Sequence, residues 1–248
     1  MKVLGVIPAR FASSRFPGKP LVMLQGKTMV QRVYEQSMQS AVLSKVVVAT
    51  DDARIADAVS AFGGNVIMTS PDHLSGTDRC AEALVKMEGV FDAVINIQGD
   101  EPFIDPKQID LVGEALRQKG VQIATLVKVV QNQEELTNVN SPKVVLSANG
   151  DALYFSRQPI PFMKGYAVQD WLNHHTYYKH IGIYGYKAEV LPLLTKLPQG
   201  KLEQCESLEQ LRWLEHGYRI RASITDVETI AIDTPDDLAK AERFLQQQ

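Results

Sequence analysis

An α/β fold with a largely parallel sheet covered by helices is predicted by two features of the chain. Short β-branched runs alternate with amphipathic segments, and the first five of these follow βαβαβ order, which calls for crossover helices between parallel strands. At 248 residues, 45% hydrophobic and 22% charged, the chain can bury a substantial core as one domain.

The first strand is VLGVI, residues 3–7. Residues 29–39 follow as a helix: Thr28 can cap it, and Val30, Val33, Tyr34 and Met38 recur at helical spacing to make one buried face. KVVVAT (45–50), an amphipathic stretch over 53–62 and NVIM (65–68) complete the alternation. FDAVINI (91–97) runs into QGDEPFIDP, where Asp105 and Pro106 start a helix that turns Ile109, Val112 and Leu116 inward. Further strands are expected over 122–130, 142–147, 152–156, 180–186, 219–224 and 229–232. The close succession of the middle ones predicts antiparallel pairing, with a hairpin around Asn149 and Gly150. Between Arg157 and His180, Pro, Gly and aromatic residues dominate; the segment reads as an excursion, either a lid or oligomer contact or a loop packed by its own aromatics. In LEQCESLEQLRWLEHG (202–217), Leu208, Leu211 and Leu214 form a core stripe, and Glu203, Gln204 and Glu206 precede that helix in a charged turn.

Composition excludes several classes of function. A net charge of −3 provides no general attraction to nucleic acid or anionic membrane, so any anion site must be a local cluster. Cys80 and Cys205 lack metal-ligand spacing and fit a reducing compartment, the cytoplasm by default. No segment approaches the ~20 apolar residues that span a bilayer, so membrane insertion is not expected. His174, His175 and His180 have no metal-site spacing.

The local cluster is IPARFASSRFPGKPL (7–21), which sets Arg10, Arg15 and Lys19 among small and turn-forming residues directly after the first strand. Guanidinium groups bond phosphate oxygens in pairs, lysine adds a mobile point charge, and Gly18 with Ser13 and Ser14 lets backbone N–H groups approach. It is not a Walker loop, because the upstream glycine of GxxxxGK[ST] is missing before both Gly18-Lys19 and Gly26-Lys27; no GxGxxG follows a strand either. In NIQGDEPF (96–103), Asp100 and Glu101 emerge at a strand end between Gly99 and Pro102, and hard carboxylate oxygens there suit Mg²⁺ or a solvated turn. In IAIDTPDDL, Thr234 reads as an N-cap, Pro235 as the first helical residue, and Asp236 and Asp237 as first-turn acids. Asp233 is left over, for metal binding or for stabilising the turn. SGTDR (75–79) and YFSRQPIP (154–161) are polar segments that could bind an acidic small molecule or be ordinary loops.

IPARFASSRFPGKPL, ATDD, SGTDR, NIQGDEPF, YFSRQPIP, KHIGIYGY and IDTPDDL occur in this order, and in that combination the chain resembles the 3-deoxy-D-manno-octulosonate cytidylyltransferase (CMP-Kdo synthetase) family over nearly its whole length. The resemblance implies a nucleotide-diphospho-sugar transferase, Rossmann-like fold: a single nucleotidyltransferase domain over 1–248, with 157–190 as an embedded dimerisation or lid excursion of a homodimer. It further implies the reaction CTP + Kdo → CMP-Kdo + pyrophosphate, supplying lipopolysaccharide assembly in the cytoplasm, with Mg²⁺ as cofactor. Carried onto this sequence, Arg10, Arg15 and Lys19 bind the triphosphate, with Lys19, Arg15 and Asp100 in the catalytic role, and Asp100 with Asp233 hold metal. Ser75, Asp78 and Arg79 would close the nucleotide side. Gln98, Arg157, His180, Glu203 and Glu206 would form the sugar-acid pocket, Arg157 facing the carboxylate. A cytidylyltransferase for another acidic sugar such as sialic acid, and a nucleotide-binding regulatory module without turnover, are the competing expectations.

Overall fold

The computed structural model describes residues 1–12, 16–227, 232 and 234–245; Ser13, Ser14, Arg15, Asp233 and most of the strand expected over 229–232 lie outside the described residues. The chain opens with β1 (Val3–Ala9), a ribbon of β2 (Met23–Leu24) and β3 (Lys27–Thr28), α1 (Met29–Ser37), β4 (Leu43–Thr50), α2 (Ala53–Ala61), β5 (Val66–Met68) and α3 (Gly76–Lys86). It continues through β6 (Ala93–Asn96), α4 (Pro106–Arg117), β7 (Ile123–Val129), α5 (Gln133–Thr137), β8 (Lys143–Leu146) and β9 (Ala152–Ser156). α6 (Trp171–His174), β10 (Tyr178–Lys187), α7 (Leu191–Leu194), α8 (Lys201–Glu206), α9 (Gln210–Glu215), β11 (Ile220–Ile224) and α10 (Pro235–Leu245) follow.

The main sheet has the order β11-β7-β10-β6-β1-β4-β5. β1 pairs in parallel with β4 and β6, β4 with β5, and β7 with β11. β10 is antiparallel to both its neighbours, so its first half lies at the same sheet edge as the ends of β6 and β7. The expected hairpin is present: β8 and β9 pair antiparallel and attach to the start of β10 through Tyr178 opposite Val144. Because both faces are covered, the strands are apolar on each side, and period two sorts them. Ile7, Val46 and Val48 pack with Val30, Ile55 and Val112 on one face, while Leu4, Val6 and Val47 pack with Cys80, Leu191 and Trp213 on the other.

The structure corrects the sequence reading in two places. SGTDR is no loop but the start of α3, with Ser75 as N-cap. The charged turn expected before the helix of Leu208, Leu211 and Leu214 is itself helical: Glu203 and Glu206 belong to α8, separated from α9 by Ser207, whose φ of +51° is left-handed. The excursion is packed by its own aromatics: Trp171 and Tyr177 form a small core with Val130 and Leu136, and the Tyr177 hydroxyl donates to the Pro161 carbonyl at 2.7 Å.

Candidate functional site

The ends of β1 and β6 lie side by side and lead into the basic loop and NIQGDEPF respectively. Their turns interlock: a Cβ at Gly99 would stand 2.8 Å from the Pro8 carbonyl oxygen, so only glycine lets the β6 turn close against β1. The loop after β1 is clasped by the Gly18 amide, which donates to the Phe11 carbonyl at 2.9 Å, and Gly18 itself sits at φ +73°. Phe11 is covered by the Arg54 guanidinium, 3.3 Å from its ring centroid. The clasp brings Lys19 to Asp100: Nζ donates to Oδ2 at 2.7 Å, with both side chains partly exposed. From the far end of the chain, the Ile232 amide donates to the Asp100 carbonyl at 2.9 Å.

Ser75, Asp78 and Arg79 are placed by α3, whose first residue, Gly76, lies against Asn96 and Pro8. The Ser75 hydroxyl accepts from the Asp78 amide, and the Asp78 carboxylate accepts from the Ser75 amide at 3.0 Å, a complete capping box. Arg79 is wholly buried, bonded to Thr69 and 3.4 Å from Asp51, with Nε and Nη2 unpartnered. Burial pulls its pKa down and Asp51 opposes this, but a guanidinium keeps its charge. Wholly buried, Arg79 offers no surface for direct contact with a ligand.

On the other side, β10 carries a bulge: Ile181 faces Leu126 and Tyr184 faces Thr125, leaving Gly182 and Ile183 out of the ladder. Gln98 Nε2 donates to the freed Gly182 carbonyl at 2.8 Å, so its amide oxygen is the end left for a ligand. His180 packs edge-on to Phe155, and burial pushes its pKa down to about 3, which keeps the ring neutral. Arg157 clasps three carbonyls, those of Glu206 at 2.6 Å, Val139 at 2.9 Å and Ser207 at 3.2 Å. Three of its five N–H groups are used there, and two remain.

Glu206 and Glu203 are not displayed as free sugar contacts. Glu206 accepts from the Ser156 hydroxyl at 2.7 Å and from the Arg157 amide at 3.0 Å. Glu203 is buried in a two-pronged pair with Arg212, at 2.7 and 2.6 Å. Buried carboxylates take the nearest donors, since an unpaired buried charge is costly. The same pair lines a cavity of about 440 Å³ with Ser75, Asp78 and Glu209. Glu209 was missed in the sequence; burial pushes its carboxyl up, and the Thr77 hydroxyl donates to it at 2.8 Å. No local motif marks it, because its partner lies 132 residues away.

Among the described residues no group of three or more His, Cys, Asp or Glu side chains forms a metal cluster. The partly exposed Asp100 carboxylate at a strand end fits a different kind of site, that of Mg²⁺, which uses one or two carboxylates and draws its other ligands from water and phosphate.

Comparison with known proteins identifies the family of the chain. The cytidylyltransferase family model matches residues 4–246. The chain is 61% identical to the 3-deoxy-manno-octulosonate cytidylyltransferase of Bacteroides thetaiotaomicron over 99% of this chain and 98% of that one. It is 58% identical to the protein of the same name from Phocaeicola vulgatus, over 100% and 98%. A CMP:2-keto-3-deoxy-manno-octonic acid synthetase solved in complex with CTP superposes with a TM-score of 0.92 at 43% identity, covering 100% of this chain and 99% of that one.

Proposed function

The chain belongs to the 3-deoxy-manno-octulosonate cytidylyltransferase family, and from that premise we propose that it transfers CMP from CTP to the anomeric hydroxyl of Kdo, releasing pyrophosphate. The observation that carries the reading is the Lys19–Asp100 pair: a mobile cation and a hard carboxylate, joined at 2.7 Å where the ends of β1 and β6 meet. Ligand sites of open α/β sheets lie at such carboxyl ends.

Lys19, Arg10 and Arg15 bind the triphosphate, and the start of α3 beside Pro8 and Asn96 adds a positive dipole end to the same edge. Asp100 with Asp233 would hold Mg²⁺, which supplies charge neutralisation on the phosphate oxygens when bound. The Kdo hydroxyl oxygen attacks the α-phosphorus in line as the bond to the β-phosphate oxygen breaks, and the hydroxyl proton passes to solvent. Lys19 then gives up Asp100 for the oxygens of the departing pyrophosphate, stabilising charge that develops in the transition state. The two free N–H groups of Arg157 suit the Kdo carboxylate, and Gln98 Oε1 and His180 suit its hydroxyls.

Residues 157–190 form a dimer contact in this reading, supported by exposed Phe162 and Tyr166 on the aromatic excursion. No described helix is long and apolar enough to cross a membrane, and the product would serve lipopolysaccharide assembly from the cytoplasm. Pyrophosphate release, measured across four nucleotides and several sugar acids with Mg²⁺, tests the proposal. Release is expected with CTP and Kdo; its absence there, or preference for another acid such as sialic acid, overturns it.

A further inference from the structure

The bulge in β10 has a chemical consequence at His180. The Ile183 carbonyl that it frees accepts from the Thr125 hydroxyl at 2.7 Å. Thr125 is 0% exposed, so water does not compete for this bond. A hydroxyl carries one proton, and here a backbone carbonyl takes it, that of Ile183 at 2.7 Å in preference to that of Ile181 at 3.4 Å. The Thr125 oxygen therefore meets His180 Nε2, 2.9 Å away, as an acceptor. Nε2 must carry the hydrogen. Burial keeps the ring neutral, so Nδ1 holds a lone pair, and among the described residues it has no hydrogen-bond partner. Phe155, edge-on at 5.3 Å, and Tyr184 at 5.1 Å set the plane of the ring.

We propose that Thr125 is a positioning residue that locks His180 in its Nε2–H tautomer, so that Nδ1 is presented as an acceptor for a hydroxyl of the sugar acid. The inference rests on the reading of His180 as a sugar contact. It adds a specificity rule: a neutral ring showing a lone pair repels a carboxylate and accepts from a hydroxyl, which leaves the acid group of the substrate to Arg157. The lock also depends on the bulge. In an unbroken ladder the Ile183 carbonyl would be taken by a backbone amide, and the Thr125 proton would be free to face the ring.

Nitrogen NMR of the ¹⁵N-histidine-labelled full-length protein tests the lock, with His180→Gln identifying the His180 signals. The wild type should show a protonated Nε2 and an unprotonated Nδ1 that shifts when Kdo is added; a protonated Nδ1 overturns the proposal without any Thr125 variant. In Thr125→Val the ring should populate both tautomers, and KM for Kdo should rise about tenfold, the worth of one hydrogen bond, with KM for CTP unchanged. Thr125→Ser, which keeps the hydroxyl, should restore both readouts. A purely structural threonine would lower the melting temperature in Thr125→Val and leave tautomer and KM for Kdo untouched, which also overturns it. If the tautomer shifts but neither Thr125→Val nor His180→Gln changes KM for Kdo, the sugar-contact reading of His180 falls while the lock stands.

Discussion

The two sides of the proposed site hold their charges in opposite ways. On the proposed phosphate side, Lys19 and Asp100 are partly exposed and face each other across a short ion pair. On the proposed sugar side, Arg157 is tied to three carbonyls, Glu203 is locked to Arg212, and the buried Thr125 hydroxyl bonds the Ile183 carbonyl. Partly exposed ions exchange partners at small cost, because water screens them and the pair itself contributes little. A triphosphate with a metal can therefore divide Lys19 from Asp100. Groups that read hydroxyl positions cannot be loose, since selectivity arises only when a mismatched substrate leaves a fixed polar group unpaired.

Variants should separate the two sides by the kind of damage done. Asp100→Asn should lower kcat by roughly 10³-fold through loss of a metal ligand, with an unchanged circular dichroism spectrum and melting temperature. Near-normal turnover would remove Asp100 from the metal role. Lys19→Ala should cost about 10²-fold in kcat/KM, measured by pyrophosphate release, again with little change in stability. On the sugar side the order reverses: Glu203→Ala strands the Arg212 guanidinium and should destabilise by about 3–5 kcal/mol in urea unfolding. A loss of Kdo affinity at intact stability would instead return Glu203 to the sugar pocket and break the comparison. Ser75→Ala removes the hydroxyl half of the α3 capping box and should cost about 1 kcal/mol.

The last check is a pH slope. His180 has its pKa pushed by burial from 6.5 down to about 3. As pH falls below 6.5 the unfolded chain binds this proton and the native state does not, so stability is fully present above 6.5 and is lost progressively toward 3. Unfolding midpoints measured across that window should fall less steeply in His180→Gln; identical slopes would show that His180 is not held neutral.

Much of the fold was legible because its signals are local. The β1, β4 and β5 runs, the Thr28 and Asp105 caps and the β8–β9 hairpin stand within two residues of where sequence places them. α3 was missed although Ser75 and Asp78 have capping-box spacing, because SGTDR reads equally well as a polar loop. α8 was missed because its six residues are charged and polar enough to read as a solvated turn. At the site, Lys19 and Asp100 were singled out as charged residues at strand ends, but their pairing across 81 residues is a fact of topology. Arg15 and Asp233 stand outside the described residues, and their roles remain proposals.

The order of strands and helices, the basic loop after β1, the acidic turn after β6 and the family these motifs resemble were determined by the sequence itself, because each depends on residues close together in the chain. The tertiary structure alone decided which polar groups are still available to a ligand. Arg79 is buried, Glu203 and Glu206 are taken, and His180 meets Thr125 at 2.9 Å beside a bulge that no spacing rule encodes. A side chain's chemistry is carried by its identity, but its free donors and acceptors are what remains after neighbours from distant parts of the chain have been satisfied.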